Sequence, residues 1–562
     1  MRLSGGNFGT VRWILVWAGL AIMAAGTGVA QQKPATPGTG PGAGPGTTQP
    51  APNQAGKDGK NAPEKHISPE EAKKLFASVD ELVKFASEET GLPLQHDVKR
   101  TLTTRAAVEK YLVDKFNEDD DAKRMQRGEI VLKKFGLLDR DFDLKPFMLA
   151  LLKEQIAGYY DSKTKTVYML DWLDAEAQKP VLVHELTHAL QDQHTDLEKW
   201  SDQTPDEVSH NASEDNEHLA KDELDTARTA ALEGQAMAVF VDYSLKPTGK
   251  SLVKDPEVLE QLQDSMQGND DSPVMARAPL LLSESLLFPY KDGLSFEQDV
   301  WMDKGKKPAF AGVLDRPPAS TWEVINPRMY EMGKASPVLV LPNIHPLVDK
   351  EYKAYDIGQV GQLDLRILAQ IFGGEAAARE LTPAWDGGIY WAGQSVAAKT
   401  KEELASTKSV ALMYLSAWKS EGSARSFARM YADQLGRKYS GVKPAALGRD
   451  AGNGAGDDTI FTTDEGPVLI RVQGKFVFTS ESFALPLAEK LAELLIDGQG
   501  TGEIRTASAM PGGSLTGRWG NYMHSFGMMK AAVGAGTKSP QPAEKTACAG
   551  TPTGNRDRGN RE

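Results

Sequence analysis

Of 562 residues only one is cysteine, Cys548. That excludes a disulfide framework, and it excludes a thiolate-bound structural zinc in the folded part, because Cys548 lies in a tail poor in large apolar residues. A basic surplus is also missing. Lys and Arg number 64 against 77 Asp and Glu, a net charge of -13, so the chain lacks the concentrated cations that neutralising nucleic-acid phosphates requires. The acidic runs around residues 118–121 and 206–223 read as solvated loops or helix faces. Long apolar runs are scarce, with one exception at residues 13–25, which follow Arg2 and Arg12 and precede the small residues 26–30. This is the layout of a signal peptide over residues 1–30, with Gly28 and Ala30 at the recognition positions for cleavage. The chain is therefore expected to be exported, periplasmic or secreted, and to be membrane-anchored only if that segment stays uncleaved.

Large apolar residues are equally scarce in residues 31–66 and 501–562, which read as a disordered Pro/Gly-rich linker and a largely disordered tail. The remainder exceeds what one hydrophobic core usually supports. The expected class is α+β and mostly helical, with one region over residues 67–250 and a helical C-terminal subdomain over 251–500 that ends in a hairpin. Ser68, Pro69, Glu70 and Glu71 have the residues of a helix start. Residues 156–160 and 166–170 read as two short strands about a polar turn, and Pro180 opens a helix that carries residues 184–193. A second helix is expected over residues 222–243. Further on, residues 288–296, 316–330 and 385–391 read as aromatic, Pro and Gly segments between helices. Residues 361–372 and 410–435 read as helices, 468–478 as a hairpin broken at Gly474, and 484–496 as a closing helix.

His184, Glu185, Leu186, Thr187 and His188 form an HExxH motif. On a helix, residues four apart share a face, so both imidazoles can reach one metal ion, while Glu185, rotated about the axis, can hold a water and take its proton. A catalytic zinc ion (Zn2+) takes three protein ligands and keeps a fourth place open, so a third must be found. His194 has the spacing of the metzincin pattern, but Gln191 stands where that pattern has the glycine that lets the helix stop. If the helix continues, His194 lies about 9 Å beyond His188 at 1.5 Å per residue, and points elsewhere. Glu233 is favoured instead, because a lone Glu in an apolar stretch is costly unless paired or metal-bound, and because Ala230 and Gly234 beside it let its helix approach the HExxH helix closely. Tyr290, beside Pro289 and before Gly293 on what reads as a shaped loop, is the candidate for stabilising an oxyanion. Tyr330 and His218 are alternatives, and a core tyrosine is the plainer reading of Tyr290.

Taken together these residues resemble a family of bacterial gluzincin-like zinc metallopeptidases, whose third ligand is a Glu on a helix after HExxH. The resemblance spans about residues 68–496. It rests on Ala157-Gly158-Tyr159-Tyr160-Asp161, on residues 184–193, on Ala231-Leu232-Glu233-Gly234, and on Phe288-Pro289-Tyr290, Pro317-Pro318-Ala319-Ser320-Thr321 and Trp385-Asp386-Gly387-Gly388. Gln235 departs from it where an acidic residue is expected, and Asn326 where a His before Pro is usual. The resemblance implies a zincin-like catalytic domain over residues 67–250, with a small edge-stranded sheet above the active helix where an extended substrate could pair its backbone. It implies hydrolysis of peptide bonds in a peptide or protein substrate. The competing expectation is a non-catalytic cell-envelope binding or scaffold protein that keeps a zincin-like fold.

Overall fold

A computed structural model describes residues 66–118, 120–155, 158–201, 211–266, 272–445 and 457–500. The expected signal peptide, nearly all of the linker and the tail lie outside the described residues. The class is α+β and mostly helical. No described helix is long and apolar enough to cross a membrane.

The chain enters through helix α1 (Pro69–Thr90). Its first turn is closed in both directions: Glu71 N donates to Ser68 Oγ at 3.2 Å, and Ser68 N donates to Glu71 Oε2 at 2.7 Å. Gly91, at φ 74°, ends the helix in the left-handed conformation that glycine adopts without a Cβ penalty. Strand β1 (Lys99–Thr103) follows, then α2 (Arg105–Glu118), α3 (Asp120–Phe135) and α4 (Leu144–Gln155). Strands β2 (Tyr159–Asp161) and β3 (Thr166–Leu170) form the expected hairpin, and β1 pairs parallel to β3, giving a three-stranded sheet in the order β1-β3-β2 with β2 at one edge.

Helix α5 (Lys179–Thr195) is set under this sheet by one side chain. Gln178 accepts from Leu170 N at 3.0 Å and donates to the Leu170 and Leu173 carbonyls, each at 3.0 Å, so the end of β3 fixes the start of α5. After α6 (Leu197–Ser201) and α7 (Ala212–Lys221), α8 (Leu224–Leu245) packs on α5 and α1. Helix α9 (Glu257–Met266) leads to α10 (Leu280–Lys304), which lies along α8. The segment 288–296, read from sequence as an inter-helix stretch, is the interior of α10, with Pro289 inside the helix.

Beyond residue 345 the sequence reading needs correcting. Residues 385–391 and 410–418 are strands, not loop and helix: β5 (Trp385–Ser395) and β6 (Val410–Trp418) join β4 (Tyr352–Gln359), β7 (Lys443–Pro444), β8 (Asp457–Thr463), β9 (Gly466–Gln473) and β10 (Phe476–Glu481) in one antiparallel sheet, ordered β4-β5-β6-β10-β9-β8-β7. The reason lies in burial. Every residue of β6 is buried, because helices cover both faces of the sheet, so its apolar run carries no alternation. Leu412 and Tyr414 face the core shared with the Glu421–Asp433 helix, while Met413 and Leu415 face the Leu485–Asp497 helix. The β9–β10 hairpin and the two helices Gln362–Leu381 and Leu485–Asp497 stand where expected. The sheet is tied to the helical half by a buried charge network in which Lys134 of α3 donates to Glu465 Oε2 at 2.8 Å and to Ser482 Oγ at 2.7 Å.

The expectation that residues 206–223 form a solvated run also fails in part. Asp215, Asp222 and Glu223 are buried. Gln359 N donates to Asp222 at 2.6 Å, and Thr321 Oγ1 donates to Glu223 at 2.6 Å.

Candidate metal centre

Helices α5 and α8 bring His184, His188 and Glu233 together. Their donor atoms converge: His184 Nε2 is 2.9 Å from His188 Nε2 and 3.2 Å from Glu233 Oε2, and His188 Nε2 is 3.6 Å from the same oxygen. Ligands bound to a tetrahedral zinc at about 2.0 to 2.1 Å stand roughly 3.3 Å from one another, and the three separations bracket that figure. Among the described residues this is the one group of three or more His, Cys, Asp or Glu close enough to hold a metal ion. All three residues are at most 1 % exposed.

The charge states suit a cation. Burial drives His184 down to about 4, with the hydrogen bond to Glu233 acting against it, so the ring is neutral at neutral pH, as a ligand must be. Burial pushes the Glu233 carboxyl up, but attraction to His188 and hydrogen bonds to both rings outweigh it and hold the group below its ordinary range. The donor set and its spacing therefore fit a metal ion.

Glu185 stands on the same helix and does not join the donors. Its Oε2 accepts from Tyr160 N on edge strand β2 at 2.9 Å, while its Oε1 is buried with no hydrogen-bond partner among the described residues. Burial, reinforced by the negative charge of Glu233, raises its carboxyl well above the usual carboxylate range. Tyr160 itself is pinned to the far end of α5, its hydroxyl donating to Asp192 Oδ2 at 2.6 Å, and Lys165 meets the same carboxylate at 2.8 Å.

Tyr290 reaches the cluster from the interior of α10 and not from a loop. Its hydroxyl is within hydrogen-bonding reach of Glu233, and burial together with the charges of Glu233 and Glu185 keeps it a neutral phenol. The alternatives lie elsewhere. Tyr330 donates its hydroxyl to the Arg316 carbonyl at 2.6 Å, and His218 faces Asp222 at 3.6 Å. His194 is not a ligand: α5 runs on through Gln191 to Thr195, and His194 Nε2 pairs with Asp315 at 3.0 Å.

The packing corrects one further reading and places one of the departures from the resembled pattern. Gly234 and Ala230 serve the crossing of α8 with α10, not with α5: a Cβ on Gly234 would lie 2.1 Å from the Gly293 carbonyl oxygen, and one on Gly293 would lie 2.2 Å from that of Ala230. Asn326 joins Trp322 O and Gln362 Oε1, each at 2.7 Å, and so bears on a helix joint and not on the histidines. Sequence reasoning missed the outer partners Gln191 and Gln235, treating both only as departures from motifs. The signal available for Gln191 was its place three residues after His188, one turn along the same face.

No family model, curated protein or solved structure matches the chain.

Proposed function

We propose that this chain is an exported, gluzincin-like zinc metallopeptidase with a zincin-like catalytic region that hydrolyses peptide bonds. The observation that supports this most is the division of labour around one point: three ligand atoms converge, while Glu185 keeps one buried, unpaired oxygen. When bound, zinc supplies Lewis-acid polarisation of a carbonyl and activation of a water. His184, His188 and Glu233 would hold it. Glu185 takes a proton from water at Oε1 and returns it to the leaving amine, while the Tyr160 N–H fixes its other oxygen and so its orientation. Tyr290 is better read as holding the Glu233 carboxylate than as meeting the substrate. Edge strand β2, whose backbone orients Glu185, is where an extended peptide would run; its amide at 160 is already committed to the base.

The test uses the full purified chain, assayed for zinc content and for cleavage of casein and a peptide library. Wild type should bind about one zinc per chain, and Glu185→Gln should keep the metal while losing at least about 100-fold in cleavage. Cleavage unchanged by the substitution would sink the mechanism. The complete burial of the donors favours the second reading, a non-catalytic envelope protein retaining the metal; zinc-loaded wild type that cleaves nothing in the library decides for it.

A further inference from the structure

We infer that a relay of two side-chain amides, Gln191 and Gln235, fixes the tautomer of His188 and so reserves its Nε2 for a metal. This rests on the reading of the centre as a metal site, but the relay itself is a matter of donors and acceptors. Each glutamine amide carries two N–H donors and one accepting oxygen. Gln235 directs its nitrogen at the carbonyls of Ala309 and Phe310, at 2.9 and 3.0 Å, in the π-helical turn Pro308–Gly312. A backbone carbonyl only accepts, so the NH2 end must point there and Oε1 must face the other way. Gln191 donates to that oxygen at 2.9 Å and spends its second N–H on the Leu232 carbonyl at 3.0 Å. What remains for His188 is the oxygen of Gln191, which lies 2.7 Å from Nδ1.

Three backbone carbonyls thus settle the orientation of both amides, which is otherwise an ambiguous assignment. Because the oxygen of Gln191 can only accept, His188 Nδ1 must carry the proton. Whenever the ring is neutral its free electron pair is therefore on Nε2, the atom facing His184 and Glu233. Both glutamines are fully buried, so water cannot take over the role of either. The relay also links α5 to α8 at the residue before Glu233, so the partner of one ligand is anchored beside another. Where an acidic partner would add a negative charge next to the ring, this chain places the neutral amide of Gln191 there.

Gln191 and Gln235 are therefore positioning residues. The experiment records long-range 1H–15N correlations of the histidine rings in the full, metal-free chain at pH 8, then measures zinc affinity by chelator competition. Wild type should show His188 as the Nδ1–H tautomer. Gln191→Met should release the ring toward the Nε2–H form and weaken zinc binding about 10- to 100-fold. Gln235→Met, which touches no ligand, should shift the ring in the same direction by less, and it carries the test if Gln191→Met does not fold. An Nε2–H tautomer in wild type, or an unchanged tautomer in both variants, overturns the relay. A wild type with His188 fixed as Nδ1–H that binds no zinc upholds the relay and removes the metal reading instead.

Discussion

At the residue scale the two oxygens of Glu185 differ: one is held by a backbone amide and the other has no hydrogen-bond partner among the described residues. Tyr290 poses the complementary question, because its hydroxyl reaches Glu233 from a third helix. If it holds the ligand, Tyr290→Phe should weaken zinc binding about tenfold. If it meets a developing oxyanion, the same variant should bind zinc normally and lose only kcat; chelator competition and steady-state kinetics separate the two. A residue away from the metal tests the electrostatics of burial. Asp242 accepts from Leu252 N at 2.6 Å, and burial pushes its carboxyl up to about 6. A carboxyl raised on folding keeps its proton longer in the folded chain, so its contribution is favourable below about pH 4 and is lost as pH rises toward 6. Asp242→Asn keeps the acceptor and removes the charge. Its Tm should exceed that of wild type at pH 7.5, by about 1–2 kcal/mol of stability after screening, and the gain should vanish near pH 4. A gain independent of pH would refute the assignment. The charged members of the site were legible because chemistry limits them: HExxH has a spacing, and a Glu in an apolar stretch needs a reason. Gln191 was marked only by its place one turn from His188 on the same face, and Gln235 not at all, since a neutral amide buried on a helix gives no sign of partners in other elements.

The elements show the same boundary between local and distant information. Helix α1 was legible from Ser68 to Glu71 because its cap is made within four residues. Strand β6 was not: Val410–Trp418 is buried throughout, and an unbroken apolar run suits a buried strand and a buried helix alike. Tyr290 was misplaced on a loop because Pro289 reads as a breaker, yet α10 carries it. The crossing of α8 and α10 offers an element-scale test in which two effects have opposite sign. By helix propensity alone, Gly→Ala gains about 1 kcal/mol per site. Here the added methyl at either Gly234 or Gly293 would meet backbone of the facing helix, which cannot move aside as a side chain can. Overpacking should win, and each of Gly234→Ala and Gly293→Ala should cost about 3 kcal/mol or more in urea unfolding, with zinc affinity falling because Glu233 and Tyr290 sit on the two helices that are forced apart. Unchanged or increased stability would mean that the helices do not cross as described.

For the whole molecule the central fact is where the site lies. The ligands come from α5 and α8, the residue behind Glu233 from α10, and the anchor of Gln235 from the turn after it, so the centre is enclosed by elements drawn from more than 100 residues of chain. That enclosure was not legible, because α10 was assigned by sequence to a separate helical subdomain and its packing along α8 depends on glycines at both ends of a long-range contact. It has a kinetic consequence. His184, His188 and Glu233 are all at most 1 % exposed, so a chelator cannot reach a bound ion until the helices part. The rate of zinc removal should therefore rise with EDTA concentration only at first and then level off at the rate of opening, which hydrogen exchange at the amides of α5 and α8 measures independently. The equilibrium side follows from linkage: at free zinc 1,000-fold above its Kd the folded chain gains about 4 kcal/mol, a gain that Glu233→Ala should abolish. A stripping rate that stays proportional to EDTA at all concentrations would place the ion in open contact with solvent, and the enclosure described here would have to be abandoned. A plateau that matches the exchange rate would identify the step any peptide must also wait for, and would predict a kcat no faster than that opening.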